Sequence, residues 1–490
     1  MEFHIPAHLT QLFINNEYVV AKNPKTISVY SPTTGALVSD KVPIAAEEDV
    51  NAAVNYAQEA FEHGSPWRSM TGQERQKLLL RFADLLEENQ EELARLTRLT
   101  LGAPPNPFGM GEIGTAITCF RYYAGWTDKH SGQFFPPDDG FYKVVHNEPL
   151  GVVAGIIPWN GPLASVGLKA APALATGNVF ILKPSEKTPF AAAALGKLIV
   201  EAGFPPGVFQ VLGGDGSTGQ LLASHMRVSK VSFTGSVPTG KAVQVMAAKS
   251  NLKRVTLELG GKSPAVVFDD ADLPNAVKWT VNALTSNSGQ ICFAATRVYV
   301  QDGIYDKFVE AYARMINEKL HVLGDPEQEG IEIGPVIDKG QYERILGFIE
   351  NAKNNGEGEL LAGGSRIGSK GYYIQPTIFA NTTPDASIYK NEIFGPVVVI
   401  NKFETEEDVI QRSNDSAYGL MSGVFTQNIN RALRLASRFD SGVVGVNCIS
   451  LIHCSTPFGG TKESGIGREF GEFALRAYTE PKTVLINLNF

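Results

Sequence analysis

Cys292 is the side chain best placed to do covalent chemistry in this sequence. It ends the segment Ser288-Gly289-Gln290-Ile291-Cys292, and a strand-like stretch, residues 296–300, follows it. A thiol on a polar, glycine-containing approach to a strand is more typical of a nucleophile than of core packing. A lone cysteine is more often structural, so other residues must support the hypothesis.

Two further polar residues could assist such a nucleophile. Glu258 stands between Leu257 and Leu259, ahead of two glycines, where poor solvation would raise its pKa and suit it to act as a general base. Asn160 follows an apolar run and carries an uncharged amide that can donate two hydrogen bonds, which suits an oxyanion hole. The alternatives are a glutamate paired with a cation elsewhere and a turn asparagine between prolines.

Two segments predict contacts with a nucleotide. The run from Gly235 to Lys241 follows a strand and opens a helix, so its backbone N–H groups could bind a phosphate. It is one residue short of a P-loop, and Ala242 stands where a P-loop needs a hydroxyl for magnesium. Lys183 and Glu186 end another strand, where open α/β sheets bind ligands, and could bond ribose hydroxyls. Ordinary turns are the alternative for both segments.

Four segments together resemble the aldehyde dehydrogenase superfamily, whose members oxidise aldehydes to acids with NAD or NADP. They are Pro158-Trp159-Asn160, Leu257-Glu258-Leu259-Gly260-Gly261, Gly289-Gln290-x-Cys292 and Glu392-x-Phe394-Gly395-Pro396, and they occur in the family's order. The resemblance extends over nearly the whole chain, from about Leu12 to Gly465. It identifies Cys292 as the nucleophile.

The resemblance also implies a role for each site residue. Cys292 would attack the aldehyde carbon, Asn160 and the Cys292 backbone N–H would hold the oxygen, and Glu258 would activate the hydrolytic water. Lys169 and Glu469 match positions that the family links to a proton relay. The residues implied to bind the cofactor are Ile156, Ile157, Pro158, Trp159, Lys183, Ser185, Glu186, Gly216, Phe233, Gly235, Ser236, Leu259, Glu392 and Phe394.

Two glutamates narrow the predicted reaction. Related enzymes that pass the acyl group to coenzyme A generally lack a glutamate at the position of Glu258, so its presence favours a free acid product. A CoA-acylating enzyme is the alternative. Glu186 would repel a 2′-phosphate, so we predict NAD over NADP, although Lys183 could offset part of that repulsion.

The substrate pocket departs from common family forms. Gly161 stands where a large aromatic is common in enzymes for small aliphatic aldehydes, and Ile291 and Phe293 flank the nucleophile where small residues are frequent. We therefore expect a roomy, largely apolar pocket for a bulky aldehyde. Its predicted lining is Gly161, Ser165, Leu168, Ile291, Phe293, Ile449, Leu451 and Ile452.

The elements that must position these residues follow a regular order. Strands of about five residues alternate with helices of about a dozen, which predicts an α/β fold with parallel sheets. The resemblance implies two Rossmann-like domains, an NAD-binding domain of residues 1–126 and 150–259 and a catalytic domain of residues 260–478. Residues 127–149 and 479–490 would form a small β element for a homodimer or homotetramer. Its segments 141–146 and 483–488 could pair with each other or with another subunit.

Composition excludes several other functions. The chain has 490 residues and a net charge of −8, which argues against a nucleic-acid or anionic-membrane partner. The four cysteines (119, 292, 448 and 454) and eight histidines form no disulfide framework and no metal-ligand pattern, so we expect free thiols and no metal. The first residues lack the layout of a signal peptide, and no apolar stretch approaches the roughly 20 residues of a membrane span, so cytoplasm is the predicted compartment.

The sequence disfavours two functions from other classes. A magnesium-dependent nucleotide hydrolase is disfavoured by Ala242. A binding protein without catalysis is disfavoured because Cys292, Glu258 and Asn160 are all present.

Overall fold

The computed structural model of the chain describes residues 4–489. Residues 1–3 of the predicted NAD-binding domain and Phe490 of the predicted β element lie outside the described residues. The strands are β1 (Leu12–Ile14), β2 (Glu17–Val19), β3 (Thr26–Tyr30), β4 (Leu37–Pro43), β5 (Gln133–Phe135), β6 (Phe141–Pro149), β7 (Val152–Ile156), β8 (Val179–Lys183), β9 (Phe209–Val211), β10 (Lys230–Thr234), β11 (Arg254–Glu258), β12 (Ser263–Val267), β13 (Ala295–Gln301), β14 (Glu359–Ala362), β15 (Thr377–Ala380), β16 (Val397–Phe403), β17 (Tyr418–Gly419), β18 (Met421–Phe425), β19 (Val443–Val446), β20 (Thr461–Lys462), β21 (Gly465–Ile466) and β22 (Thr479–Asn487).

The α-helices alternate with these strands over most of the chain. They are α1 (Glu47–Phe61), α2 (Pro66–Ser69), α3 (Gly72–Glu88), α4 (Gln90–Leu101), α5 (Met110–Ala124), α6 (Pro162–Ala175), α7 (Phe190–Ala202), α8 (Gly216–Ser224), α9 (Val237–Lys249), α10 (Leu273–Thr285), α11 (Tyr305–Lys319), α12 (Lys339–Asn355), α13 (Ser387–Lys390), α14 (Glu406–Asn414), α15 (Ile429–Ala436) and α16 (Gly471–Ala477). Between residues 4 and 489, none of the helices is both long enough and apolar enough to cross a membrane.

Two large sheets organise the chain. The first has the strand order β2-β1-β9-β8-β7-β10-β11-β21, and its five strands from β9 to β11 are parallel. The second has the order β14-β15-β16-β13-β12-β18-β19, and only β14 is antiparallel. Strands β7 and β8 are buried along their whole length, which explains their continuous apolar sequence. These two sheets with their helices confirm the predicted α/β class.

The small β element is a three-stranded antiparallel sheet in the order β22-β6-β5. Strands β6 and β22 pair over nine residues, from Phe141 opposite Asn487 to Pro149 opposite Thr479. Of the two pairings predicted for these segments, the chain therefore forms the one within a single subunit.

Two helices, α3 and α4, share one apolar stripe after Thr71. Helix α3 begins at a capping box, where Glu74 N donates to Thr71 Oγ1 at 3.2 Å. It ends at Glu88, because Asn89 leaves the helical range (φ −108°, ψ 13°) and its side-chain amide donates to Leu85 O at 2.8 Å. The apolar stripe continues across this break, so periodicity alone could not locate it.

Residues next to strands of both large sheets form the site. Parallel strands β7, β10 and β11 end at one edge of the first sheet and are followed there by loops or helices that carry the polar residues. Cys292 lies three residues before β13 of the second sheet. Strand β21, from the later part of the chain, crosses back and pairs with β11 at Leu257 and Glu258.

Candidate active site

The loop that carries Cys292 is held in one conformation. Asn287 and Ser288 have φ values of 46° and 55°, which are unfavourable for residues other than glycine. Hydrogen bonds stabilise them there: Ser288 Oγ donates to Gly334 O at 2.6 Å, and Asn287 Nδ2 donates to Asn160 O at 3.1 Å. These hydrogen bonds therefore fix the loop that carries Cys292.

Asn160 approaches this loop from the first sheet. It lies between β7 and α6, and its Nδ2 donates to Gln290 O at 2.9 Å. A side-chain amide has a second N–H, which is free to donate elsewhere. Asn160 and Cys292 line the same space, so an oxygen on a carbon bonded to the sulfur could accept that second hydrogen bond.

Two cavities meet at Cys292. The larger, which we call the nucleotide cleft, has a volume of about 480 Å³. The smaller, which we call the substrate pocket, has a volume of about 300 Å³. The residues that line both are Pro158, Asn160, Thr234 and Cys292. The thiol therefore stands between two separate binding spaces.

Seven predicted cofactor residues line the nucleotide cleft. They are Pro158, Trp159, Gly235, Ser236, Leu259, Glu392 and Phe394. The rings of Trp159 and Phe394 meet edge to face, with centroids 5.2 Å apart. Ser236 directly precedes α9, whose first backbone N–H groups have no partner within the helix. An anion could therefore bind at this end of the cleft.

The other seven predicted cofactor residues do not line the cleft. They are Ile156, Ile157, Lys183, Ser185, Glu186, Gly216 and Phe233, at the ends of β7, β8 and β10 and the start of α8. Lys183 Nζ lies 3.5 Å from Glu186 Oε2, and burial lowers the pKa of Lys183. The lysine side chain is 6% exposed and the glutamate 37%, so a ligand at this edge would meet the carboxylate first.

The carboxylate of Glu392 packs against Gly260 and Gly261. Gly261 N donates to Glu392 Oε1 at 3.0 Å, and a Cβ at Gly260 would collide with the same carboxylate. Burial raises the pKa of Glu392 to about 7. The glycine pair after Glu258 thus makes room for a second acidic group at the cleft.

Several polar residues of the cleft were not predicted, among them Gln341, Arg344 and Tyr418. Gln341 Nε2 donates to Phe394 O at 2.7 Å, and Arg344 donates to Glu392 O at 2.6 Å. Helix α12 therefore fixes the segment that carries Glu392 and Phe394. Its sequence is that of an ordinary amphipathic helix, so no local signal marks these contacts.

Cys292 and Glu258 are both in poorly solvated positions. Burial raises the pKa of the Cys292 thiol well above its ordinary value, and the carboxylates of Glu258 and Glu392 raise it further. Burial likewise raises the pKa of Glu258, with a further contribution from Glu469. Glu258 is 4% exposed, and its Oε1 has no hydrogen-bond partner among residues 4–489. A carboxylate so placed is a stronger base than usual once it is ionised.

Lys169 and Glu469 stand behind Glu258. They form an ion pair in which the Lys169 side chain is fully buried. Lys169 Nζ also donates to Ser232 Oγ at 3.2 Å. Glu469 lines the substrate pocket together with Glu258, so the two carboxyl groups share one space.

The substrate pocket contains most of its predicted lining. Gly161, Ser165, Leu168, Ile291, Phe293 and Ile452 line it. Phe108, Thr115 and Phe458 line it as well and were not predicted. The ring of Phe458 lies edge to face on Phe293, with centroids 5.5 Å apart.

Two predicted lining residues lie elsewhere. Ile449 is 1% exposed and packs against Gly423 of β18, inside the second sheet's core. Leu451 is 53% exposed and faces solvent. Ser450 between them has a φ of 58°, which turns the backbone so that only Ser450 and Ile452 of this segment reach the pocket.

The near-P-loop and the cysteines show no other catalytic arrangement. Lys241 Nζ lies 2.6 Å from Glu463 Oε1, so its charge is engaged away from the cleft. Over the described range, 4–489, no group of three or more histidine, cysteine or acidic side chains is placed to hold a metal ion. All four cysteines are free thiols.

Comparisons with known proteins place this geometry in context. A model of the aldehyde dehydrogenase family matches residues 18–484. An aldehyde dehydrogenase of Agaricus bisporus is 47% identical over 98% of this chain and 95% of its own length. The mitochondrial aldehyde dehydrogenase of Rattus norvegicus is 45% identical over 98% of this chain and 92% of its own. A solved NAD⁺ complex of an aldehyde dehydrogenase from Bacillus cereus has a TM-score of 0.95 and 43% identity, covering 99% of this chain and 100% of that one.

Proposed function

Because the chain belongs to the aldehyde dehydrogenase family, we propose that it oxidises an aldehyde to a carboxylic acid with NAD through a covalent intermediate on Cys292. One observation carries the proposal: Cys292 and Asn160 border both the nucleotide cleft and the substrate pocket. A thiol at that junction can bind the substrate carbon while its hydrogen faces the cleft.

The nucleotide cleft, together with the residues at the end of β8, suits NAD. The N-terminus of α9 suits the pyrophosphate, the Lys183–Glu186 pair suits the adenosine ribose, and Glu392 suits the nicotinamide ribose. When bound, NAD would accept the hydride from the carbon attached to Cys292. Since Glu186 is the more exposed member of its pair, a 2′-phosphate would meet a carboxylate, which favours NAD over NADP.

Attack by Cys292 requires a base and an oxyanion site. The raised pKa of the thiol means that it rests protonated, so a nearby base must take the proton as the sulfur attacks. The free N–H of Asn160 and the backbone N–H of Cys292 would then hold the oxyanion of the hemithioacetal. Loss of one such donor typically costs about 2.7–4 kcal/mol of transition-state stabilisation.

Release of the acid depends on Glu258. After oxidation the acyl group remains on Cys292 as a thioester. Glu258 would take a proton from water, the resulting hydroxide would attack the acyl carbon, and the thiolate of Cys292 would leave. This supports a free acid product, and transfer to coenzyme A is the alternative.

The pocket supports a bulky, largely apolar aldehyde. Its walls include Leu168, Ile291 and Phe293, and Gly161 leaves room beside Asn160. We further propose cytoplasmic localisation and assembly into a homodimer or homotetramer through the β5-β6-β22 sheet.

An aldehyde panel tests these proposals together. We expect NADH to form with NAD and an aldehyde, with a higher kcat/KM for aromatic or long-chain aldehydes than for acetaldehyde and a lower rate with NADP. Cys292→Ala should abolish turnover while NAD binding and the circular dichroism spectrum are unchanged. A preference for acetaldehyde would contradict the pocket proposal. Acyl-CoA formation that depends on added coenzyme A would contradict hydrolysis, and no NADH with any aldehyde would contradict the function.

A further inference from the structure

A line of polar side chains, all buried except the half-buried Thr256, leads from Glu469 away from the substrate pocket to Lys230. Lys230 and Ser232 are two residues apart on β10, and Thr256 and Glu258 are two residues apart on β11. Ser232 and Thr256 are partners in the parallel register, so all four side chains project from the same face of the sheet. The line therefore begins beside the proposed general base.

The contacts along this line are continuous. Lys230 Nζ donates to Thr256 Oγ1 at 3.0 Å, and Thr256 Oγ1 donates to Ser232 Oγ at 3.1 Å. Ser232 Oγ lies 3.5 Å from Glu469 Oε1, and Lys169 Nζ donates to the same hydroxyl at 3.2 Å. A hydroxyl both donates and accepts and can rotate, so each can pass a proton in either direction.

Lys230 is an unusual end for such a line. It is fully buried, and within residues 4–489 its amine forms no salt bridge with a carboxylate. The charged and titratable groups around it are Lys169, Glu469, Arg254 and the ring of Tyr478, whose centroid lies 4.8 Å from Nζ. Burial, and next Lys169, lower the pKa of Lys230 to about 7, so the amine can be neutral and accept a proton near neutral pH.

We propose that Lys230 is a positioning residue for hydrolysis, which receives through Thr256 and Ser232 the proton that Glu258 takes from water. This inference rests on the proposed function. Neither the near-P-loop nor the predicted Lys169–Glu469 relay includes Lys230.

The proton transfer balances without any other reactant. Protonated Glu258 gives its proton across the shared pocket to Glu469, and Glu258 returns to a carboxylate. Glu469 then donates to Ser232 Oγ, whose own proton goes to Thr256 Oγ1, and the proton of Thr256 goes to the neutral amine of Lys230. Glu469 ends as a carboxylate and Lys230 as an ammonium ion. Once the acid has left, the proton returns along the same side chains to Glu258 and from there to the thiolate of Cys292, which restores both the neutral amine and the thiol.

Three variants test this path with one matched control. Lys230→Met removes the acceptor, Thr256→Val removes the connecting hydroxyl with little change of shape, and the double variant tests whether they act together. The control is Lys253→Met, because Lys253 is 7% exposed and its amine is bonded to Ala223 O and Ser250 Oγ, outside the line. Each protein is mixed rapidly with NAD and a substrate aldehyde.

The expected result separates oxidation from hydrolysis. Lys230→Met and Thr256→Val should keep the first-turnover burst of NADH but lower steady-state turnover about tenfold, a modest share of what proton transfer contributes. Their effects should not add in the double variant. At low pH, a plot of log kcat against pH should approach a slope of 2 in the parent protein, because Glu258 and Lys230 must both be deprotonated. In the variants the slope should approach 1, because only Glu258 must be deprotonated. Lys253→Met should match the parent.

Other results would overturn the proposal. Unchanged turnover and pH slope in both single variants would do so, as would an equal loss of burst and steady state, which indicates a structural role. If the parent shows no burst with any aldehyde, the proposed function has failed instead. The relay is then tested by acetylating Cys292 with 4-nitrophenyl acetate and following loss of the acetyl group by mass spectrometry. Lys230→Met and Thr256→Val should lose the acetyl group more slowly than the parent protein. Equal rates would reject the relay.

Discussion

In the proposed mechanism, Glu258 is required for hydrolysis of the thioester and not for oxidation of the aldehyde. We predict that Glu258→Gln keeps a first burst of NADH and loses about 10²–10⁴-fold in steady-state turnover, since the amide cannot accept the proton of water. The acylated protein should accumulate and be visible by mass spectrometry at Cys292. Loss of the burst to the same extent would mean that Glu258 is also needed for attack by the thiol.

The raised pKa of Glu258 predicts how the rate of hydrolysis depends on pH. As the proposed base, Glu258 must be ionised, and burial raises its pKa. We therefore predict that hydrolysis becomes slower as pH falls through that raised value, which a pH profile of steady-state turnover would measure. The burst, which does not need the water-activating base, should depend on Glu258 ionisation less than steady-state turnover does.

Sequence predicted the residues of the site that are adjacent to short motifs, and missed those brought in by tertiary contacts. Asn160, Glu258 and Cys292 stand in segments with their own local signal. Arg344 reaches the cleft only because α12 packs against the segment at Glu392, 48 residues later. The error at Leu451 has a similar cause, because one residue with positive φ decides which way its neighbours point.

At the scale of elements, buried strands were predictable and glycine-rich ones were less so. The strand-like stretch at residues 296–300 lies within β13 (Ala295–Gln301), of which only Gln301 is not buried. Strand β18 (Met421–Phe425) was not predicted, since Ser422 and Gly423 dilute its apolar pattern, yet it is central enough to pair with both β12 and β19. Helix α5 begins directly after a Pro/Gly-rich segment, so the sequence carries no clear signal for its start.

Helix α6 depends on a cap from another helix. Glu112 of α5 is buried, and its carboxylate accepts a hydrogen bond from Ala164 N at 2.6 Å in the first turn of α6. We predict that Glu112→Ala lowers the free energy of unfolding by about 1–3 kcal/mol, because the half-buried N–H of Ala164 loses its partner. Urea denaturation would measure this, with the exposed Glu310→Ala of α11 as the control, expected within about 0.5 kcal/mol of the parent. Equal stability of both variants would show that α6 does not need this cap.

At the scale of the whole molecule, the β5-β6-β22 sheet has the surface expected of an interface. Phe134, Leu485 and Ile486 are 61%, 63% and 48% exposed on it. We predict that Leu485→Glu shifts the protein to a smaller assembly, since a buried charge without a partner is costly. Size-exclusion chromatography with light scattering would report the mass. Val20→Glu, at a residue 75% exposed elsewhere, is the control, and an unchanged mass in Leu485→Glu would place the interface on another surface.

The pairing of β21 with β11 also determines the order in which contacts of the site can form during synthesis. Glu258 leaves the ribosome long before Gly465, its partner across the two strands, and Ser464, whose oxygen accepts a hydrogen bond from Leu259 N at 2.9 Å. In a nascent chain, the hydrogen bond from Ser288 to Gly334 beside Cys292 can therefore form before β21 is available to pair with Glu258. Under the proposed mechanism, the capacity to release product is complete only after β21 has been made, and a polypeptide stalled before that point would bind aldehydes at Cys292 without turning over.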